Sequence, residues 1–290
     1  MYLYCKFLRL KKWTNIITTF YCGIYLIAHP TDTTIAFHKA IFSKEEKIIF
    51  YKLGDIIIPI KIIQFGKITG IVCINLHDNE TTSVDAAISV LDETGGTLIK
   101  IENNQQRLIR FRLKGISYSF DPNSIFSRTG IEKSLKENSS INRDAIIEVE
   151  KFAKRILQLF EANTSCIIAL HNNTEGSYSI RTYLPGNEKE MDAKEVYYNQ
   201  LQDIDDLVLT TDSILYQKMA DNGFNSIWQE NTKAVRDGSL SIYCGERNKR
   251  YINIETQHGK LAQYVQMLQK LISILKEENK EIPEKSGYSP

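Results

Sequence analysis

The chain has 290 residues, of which 42% are hydrophobic and 24% are charged, the composition of a globular protein with one large domain or two small ones. This composition excludes a disordered chain, a collagen-like repeat and a polytopic membrane protein. Lys and Arg (36) nearly balance Asp and Glu (35), and the resulting net charge of +1 argues against nucleic acid as the main partner.

The N-terminus has the layout of a secretory signal peptide. Residues 1–28 carry four basic and no acidic side chains, and the apolar run NIITTFYCGIYLIA ends at Ala28. This pattern predicts a secreted or periplasmic protein. Two alternatives stay open: a short uncleaved anchor, which would be the protein's membrane attachment, and a buried helix or strand of a cytoplasmic protein.

No internal repeat or low-complexity linker divides the rest of the chain. Residues 29–278 are therefore predicted to form one domain, and the charged, proline-containing residues 279–290 a flexible tail. Three cysteines remain after residue 28: Cys73, Cys166 and Cys244. Each lies in an apolar stretch at long spacing, which predicts buried free thiols rather than disulfides or a cysteine metal site.

Apolar strand-like runs alternate with helical patterns along residues 46–278. In chain order, the pattern predicts two strands within 46–66, a strand at 68–76, a helix at 81–93, a strand at 97–102 and a hairpin at 107–120. It then predicts a helix at 142–162, strands at 165–171 and 207–211, a helix ending near 217, strands at 226–228, 239–244 and 251–255, and a helix at 260–278. A βαβ crossover and this alternation indicate an α/β fold, a three-layer sandwich with a central, mostly parallel mixed sheet.

Ionisable side chains stand where three of the predicted strands end. His77 and Glu80 follow the strand at 68–76, His171 ends the strand at 165–171, and Glu255 ends the strand at 251–255. The carboxyl ends of parallel strands meet at one edge of a sheet. Two imidazoles and one carboxylate are a common ligand set for catalytic zinc, which keeps a fourth position for water and lowers the pKa of that water. The pattern therefore predicts His77, Glu80 and His171 as zinc ligands and Glu255 as a general base.

Each of these residues also has a simpler interpretation. A histidine and a glutamate three residues apart occur often by chance, and a histidine after a strand is commonly a hydrogen-bonded structural residue. His258, three residues after Glu255, is a rival ligand, although its place at the start of the last helix favours a supporting or helix-start role.

Three short segments, in their order along the chain, resemble the motifs of the zinc carboxypeptidase superfamily. LHDNE, LHNNT and INIE are similar to its His-x-x-Glu, its third ligand His and its late Glu, and ALHNNTEGS is similar to its aspartoacylase and succinylglutamate desuccinylase branch. The resemblance covers about residues 68–270. It implies a zinc-dependent hydrolase of amide bonds, of carboxypeptidase or N-deacylase type, that acts on a small peptide or N-acyl amino acid. With an envelope location, the expected substrate is a cell-wall peptide.

One segment departs from the branch that the chain resembles. The branch carries Asp-Leu-Asn-Arg-x-Phe, whose Asn-Arg pair binds a substrate carboxylate, and residues 121–126 read DPNSIF, with Ser124 in place of the arginine. A hydroxyl cannot replace the bidentate, charge-assisted bonds of a guanidinium. The resemblance leaves Asn123 as a substrate contact. For the missing arginine three alternatives stay open: Arg128 replaces it, the enzyme does not anchor a terminal carboxylate in this way, or the chain has lost activity. The alternative function is a zinc-carboxypeptidase-like binding protein with weak or no catalysis.

The resemblance also implies an arginine that polarises the scissile carbonyl. Arg107 and Arg110 are the two candidates, and the alternation of a strand puts them on opposite faces, with Arg112 on the same face as Arg110. Tyr178, after the third predicted ligand, is a candidate for the wall of a substrate pocket, and core packing is its alternative role.

Overall fold

The computed structural model of the chain describes residues 43–67, 69–160, 162–176 and 178–281, so the predicted leader and most of the predicted tail lie outside the described residues. The strands are β1 (Lys44–Leu53), β2 (Ile56–Phe65), β3 (Ile71–Asn75), β4 (Gly96–Ile101), β5 (Ile109–Leu113), β6 (Ile116–Phe120), β7 (Cys166–Asn173), β8 (Ala193–Tyr197), β9 (Leu207–Thr210), β10 (Asn225–Gln229) and β11 (Tyr251–Gln257). The helices are α1 (Thr81–Thr94), α2 (Arg128–Asn138), α3 (Arg143–Leu157), α4 (Ser213–Asp221), α5 (Leu240–Gly245) and α6 (Leu261–Glu281).

Nine strands form one mixed sheet, and β5 and β6 form a separate hairpin. The order in the sheet is β1-β2-β4-β3-β7-β11-β9-β10-β8. The central strands β4, β3, β7 and β11 run parallel to one another, while β2 and β9 pair antiparallel on either side of them. Strand β3, helix α1 and strand β4 form the predicted βαβ crossover. The predicted α/β fold class is confirmed.

Side-chain alternation along the central strands divides the core into two layers. On β7, Ile167 and Ala169 belong to the core shared with α2, α3, α5 and the hairpin, whereas Ile168 and Leu170 belong to the core shared with α1, α4 and α6. The central strands are buried on both faces, which explains their continuous apolar runs in the sequence. By the same alternation, the next odd-numbered residue of β7, His171, faces the hairpin layer.

Several features of the secondary structure differ from the sequence-based prediction, and helix α2 and strand β8 are not predicted at all. The segment at 239–244, predicted as a strand, is the helix α5, because Ser239 caps it by accepting a hydrogen bond from the backbone N–H of Ile242 and because Leu240 and Cys244, four residues apart, are both buried. Helix α3 ends at Leu157, earlier than the predicted 162, and α6 continues to Glu281, past the predicted 278.

Two predictions about the described residues are confirmed, the buried thiols and the hairpin turn. Cys73, Cys166 and Cys244 are buried free thiols, as predicted. The hairpin turns at Lys114 and Gly115, both with positive φ, as its sequence predicts. Among the described residues, no helix combines the length and hydrophobicity that crossing a membrane requires.

A buried aspartate next to β9 gives a testable pH dependence of stability. Burial raises the pKa of Asp206 to about 6; Asp203 and Asp205 add to this effect and Lys260, 3.7 Å away, opposes it. Because the folded-state pKa lies above the unfolded one, the protonated form favours folding. This contribution is present below about pH 4 and is lost as the pH rises through about 6.

We therefore expect Asp206→Asn to stabilise the protein at about pH 7 by about 1 kcal/mol, after allowance for solvent screening, and to change little at about pH 4. Urea unfolding at the two pH values measures this. The matched control is Asp203→Asn: the hydrogen bond from Lys260 lowers the pKa of Asp203, so this variant should lose stability at about pH 7. Equal effects of the two variants would contradict the assignment.

Candidate metal centre

His77 and Glu80 lie in the short connection between β3 and α1. The backbone N–H of Glu80 donates to the carbonyl of His77 (3.0 Å), which closes a turn and brings the two side chains to the same side. Glu80 is the residue directly before α1, and the hydroxyl of Ser83 donates to its carbonyl (2.7 Å). The end of a buried strand and the start of a helix thus fix both residues.

His171 and Glu255 lie opposite each other on neighbouring strands. They are partners in the parallel register of β7 and β11, and alternation turns both toward the hairpin layer. Tyr264 of α6 braces this pair of strands, since its hydroxyl donates to the carbonyl of Ile254 (3.1 Å) and accepts from the backbone N–H of His171 (3.2 Å). The register of the sheet therefore sets the separation of the third predicted ligand from the predicted base.

The carboxylate of Glu80 lies between the two imidazoles. Its Oε1 is 2.9 Å from Nδ1 of His77 and its Oε2 is 3.0 Å from Nδ1 of His171. The ring centroids of the two histidines are 5.2 Å apart, and one ligand atom from each of the three residues lies within 4.8 Å of the others. All three are buried, with 0%, 1% and 4% of His77, Glu80 and His171 exposed. The structure thus brings together the three predicted zinc ligands.

Two buried ring nitrogens in this group have no hydrogen-bond partner among the described residues. They are Nδ1 of His77, whose close approach to Glu80 lies outside hydrogen-bond geometry, and Nε2 of His171. A buried polar atom without a partner is unfavourable, and a cation bound by both imidazoles would remove that penalty. Two nitrogens and one carboxylate oxygen are also a donor set that zinc prefers. The residues present therefore fit a zinc ion.

The histidines and carboxylates of this group are buried, and each one shifts the pKa of its neighbours. Burial alone would lower the pKa of His77, but Glu80 and Asp121 outweigh it and raise that pKa to about 9. Burial would raise the pKa of Glu80, yet the two histidines hold it far below its usual range. Burying charged groups costs free energy and contributes little to stability, so a buried cluster of this kind is a candidate functional site.

Glu255 is 9% exposed and accepts one hydrogen bond, from Nδ2 of Asn253 (3.1 Å). Burial raises the pKa of its carboxyl, with an opposing effect from His171 and a further rise from Glu80. Its carboxylate also adds to the raised pKa of Tyr178, whose main cause is burial. A carboxylate with a raised pKa next to a ligand group is suited to accept and return a proton.

Asp121, a residue to which the sequence analysis gives no role, bonds the outer nitrogen of His77. It follows β6 directly, and its Oδ1 lies 2.7 Å from Nε2 of His77 and accepts from the backbone N–H of Asn123 (2.8 Å). A carboxylate on the far nitrogen of a ligand histidine orients the ring and raises its basicity. The sequence feature that points to Asp121 is its position as the first residue of the DPNSIF segment, directly after a strand.

We expect Asp121→Asn to weaken zinc binding by about 10- to 100-fold. The amide oxygen can still accept from His77, so the ring orientation is kept while the charge that supports it is lost. Competition with a coloured chelator measures the affinity. Asp144→Asn, which removes an exposed aspartate of α3 bonded to Lys114, is the control and should bind zinc like the unmodified protein. Equal affinity in both variants would remove Asp121 from the metal centre.

Of the predicted arginines, the structure places Arg107 at the group. Its Nη1 donates to Oε1 of Glu80 (2.8 Å) and its Nη2 lies 3.1 Å from Oδ2 of Asp121, while about half of the side chain is exposed. Arg110 points outward from the hairpin, and Arg128 pairs with Glu132 and Glu150, each at 3.0 Å. The structure does not bring Arg110 or Arg128 to the group.

The remaining predicted residues have local roles. Asn123 uses its side-chain oxygen to accept from the backbone N–H of Leu240 (3.3 Å), so it joins the DPNSIF turn to α5. The hydroxyl of Tyr178 bonds that of Tyr183 (2.7 Å), and the rings meet edge to face. His258 is an exposed turn residue before α6, bonded through its backbone to Asn173, and it is not one of the three residues that the structure brings together.

No protein-family model and no curated protein matches the chain. Similar solved structures include an aspartoacylase family protein from Mesorhizobium loti (13% identity, 83% of this chain and 69% of that chain, TM-score 0.43). They also include a succinylglutamate desuccinylase/aspartoacylase from Rhodobacter sphaeroides (9%, 80% and 66%, 0.42) and murein-tripeptide amidase MpaA from Escherichia coli (10%, 73% and 85%, 0.37). The first two descriptions name the families that the motifs of this chain resemble.

Proposed function

We propose that the protein is a zinc-dependent hydrolase of amide bonds, of carboxypeptidase or N-deacylase type. The observation that carries this proposal is the buried His77, Glu80 and His171 group, with two unpartnered ring nitrogens, beside the buried carboxylate of Glu255. Three protein ligands leave a zinc ion an open position, which is the arrangement of catalytic rather than structural zinc.

Each residue of the group has a part in this chemistry. Zinc, when bound by His77, Glu80 and His171, supplies a Lewis acid for a carbonyl oxygen and lowers the pKa of water. Glu255 takes the proton of the attacking water and returns it to the leaving amine, a task for which its raised pKa is suited. Asp121 holds the ring of His77, and Arg107 supplies a guanidinium for the developing negative charge on the carbonyl oxygen.

The substrate that we propose is a small peptide or an N-acyl amino acid. Arg107 places a positive charge next to the three predicted ligands. Its side chain is half exposed, so it can contact a carboxylate or a carbonyl of a bound molecule. The signal-peptide layout of residues 1–28 supports a secreted or periplasmic location, and in that location a cell-wall peptide is the substrate of this class.

The test is a metal and activity assay on the purified full-length protein. Metal analysis is expected to give about one zinc per chain. A panel of N-acyl amino acids, short peptides with a free carboxylate and a murein tripeptide is then assayed before and after phenanthroline treatment. Turnover that disappears with the chelator and returns with zinc supports the proposal. A protein without stoichiometric zinc, or turnover indifferent to the chelator, contradicts it.

A binding protein with weak or no catalysis is the second candidate, and Ser124 is the observation that favours it. Ser124 stands where the resembled branch has its carboxylate-binding arginine, and Arg128 is engaged with Glu132 and Glu150 instead of substituting for it. This candidate predicts ligand binding without turnover across the same panel. Gain of carboxypeptidase activity in Ser124→Arg would indicate a decayed or redirected site, and zinc-dependent turnover of the unmodified protein would exclude the binding-only role.

A further inference from the structure

A cleft of about 440 Å³ lies on the outer face of the β5–β6 hairpin, away from the metal-ligand group. The start of β2, both hairpin strands and the end of α2 form its walls. Its polar lining includes two guanidiniums (Arg110 and Arg112), three serine hydroxyls (Ser117, Ser119 and Ser139), one amide (Asn138) and one carboxylate (Asp55), and the buried Phe111 and Tyr118 also line it. The volume is larger than one phosphate or carboxylate group needs, so the cleft can admit a small molecule that carries such a group.

The two guanidiniums have no acidic partner. Arg110 and Arg112 alternate on β5 and so share its outward face, and among the described residues no carboxylate lies within 4 Å of either guanidinium. Of the eight other arginines in the described residues, five have such partners: Arg107, Arg128, Arg236, Arg247 and Arg250. Asp55 accepts from the backbone N–H of Arg112 (2.7 Å), so the local charge of the cleft is positive by one unit.

A buried hydroxyl at the base of the cleft also lacks a partner. Ser119 is opposite Arg110 in the hairpin register and is 6% exposed, and its Oγ makes no hydrogen bond to any residue that the structure describes. Its backbone groups are satisfied by Ser139, whose Oγ accepts from its N–H (2.8 Å) and donates to its carbonyl (3.2 Å). An unpartnered buried hydroxyl is unfavourable, so this one marks a place where a ligand acceptor would be stabilising.

We propose that this cleft binds the oxyanion of a small molecule, a phosphate or a carboxylate. The two guanidiniums supply paired N–H donors whose geometry suits two oxygens of an oxyanion. The hydroxyl of Ser119, which also lines the cleft, supplies a further donor. Arg112 is partly preorganised, since its Nε donates to Oγ of Ser117 (3.3 Å) and leaves its terminal nitrogens free. Asp55 also lines the cleft, and its carboxylate repels an anion, so the anion is expected to bind nearer the two arginines than Asp55.

This site is separate from the proposed zinc centre. Arg110, Arg112 and Ser119 lie on the outward face of the hairpin, whereas Phe111 and Tyr118, directly between them in sequence, turn inward to the core. The anion site uses none of the residues that would hold zinc. It therefore stands whether or not the protein proves to be a zinc hydrolase.

The test is calorimetric titration of the full-length protein with inorganic phosphate, glycerol phosphate and citrate, at an ionic strength held constant with NaCl. We expect at least one probe to bind, and its affinity to fall by about tenfold or more in the double variant Arg110→Gln, Arg112→Gln. Comparison of the three probes distinguishes a free phosphate ion, a phosphate ester and a carboxylate. Both arginines are exposed, so the variant is expected to fold, and its thermal unfolding verifies this.

Two further variants make the result specific. Arg181→Gln removes an exposed arginine outside the cleft and is expected to leave the affinity unchanged. Ser119→Ala is expected to weaken binding severalfold while the protein stays folded. No binding of any probe at concentrations up to about 10 mM would overturn the proposal. Equal binding by the double variant and the unmodified protein would overturn it too, because the anion would then lie elsewhere, the metal centre included.

Discussion

Glu255→Gln is expected to keep its zinc and to lose turnover by about 10²- to 10⁴-fold. The amide has nearly the shape of the carboxylate, and Glu255 is not one of the three predicted ligands, so zinc stoichiometry should not change. It cannot accept the proton of the attacking water, which is the part that we propose for Glu255. Turnover on the best substrate of the panel and metal analysis of the same sample measure the two effects.

The stability of this variant provides a check on folding. Burial raises the pKa of the Glu255 carboxyl, so the ionised form is disfavoured in the folded protein. A neutral glutamine removes this penalty, and the melting temperature at neutral pH should not fall. Glu137→Gln, on the exposed side of α2, is the control and should keep both zinc and turnover. Full activity in Glu255→Gln would assign the proton transfer to another group.

The sequence was sufficient to predict which residues would meet in the candidate metal-ligand group, because most of them lie on buried strands or close behind them. Continuous apolar runs identify β3, β7 and β11, and the register of neighbouring parallel strands then brings His171 and Glu255 face to face. Glu80 follows His77 by only three positions, within one turn, so the two side chains are close together. Each of these inferences depends on a local sequence pattern and on the regular geometry of a sheet, and both can be inferred from the sequence.

The contacts that the sequence did not predict are those made by the residues that flank the β5–β6 hairpin. The bond from Asp121 to His77 joins residues 44 positions apart, and Arg107 reaches Glu80 across 27 positions. Both depend on where the hairpin lies on the sheet, which no local pattern specifies. The same reasoning explains the outward position of Arg110: alternation predicts that it opposes Arg107, but which face meets the core is set by packing.

Segments with weak or ambiguous periodicity were the ones assigned wrongly or missed. The run SLSIYC is apolar and short, so it fits either a strand or one and a half turns of helix, and the cap at Ser239 decides for α5. Helix α2 has few apolar positions, with Ile131 and Leu135 as its large buried residues, and was not predicted at all. It nevertheless supports the site, since the hydroxyl of Ser134 accepts from the backbone N–H of Asp121 (2.8 Å).

His77→Ala is expected to abolish stoichiometric zinc binding and, with it, turnover. Loss of one of three protein ligands leaves too few donors for a tetrahedral site, and Asp121 would lose the ring that it orients. The thermal readout is independent of any substrate: a zinc concentration about 100 times the dissociation constant should stabilise the unmodified protein by about 2.7 kcal/mol and should not stabilise the variant.

The matched control for this experiment is His258→Ala, because His258 was the rival ligand in the sequence and is an exposed turn residue in the structure. This variant should keep zinc, turnover and zinc-dependent stabilisation. Comparison of the two variants therefore distinguishes loss of a specific zinc ligand from the loss of any one histidine. Zinc retained by His77→Ala, or lost by His258→Ala, would mean that the metal is held by residues other than His77, Glu80 and His171, and the proposed centre would have to be abandoned.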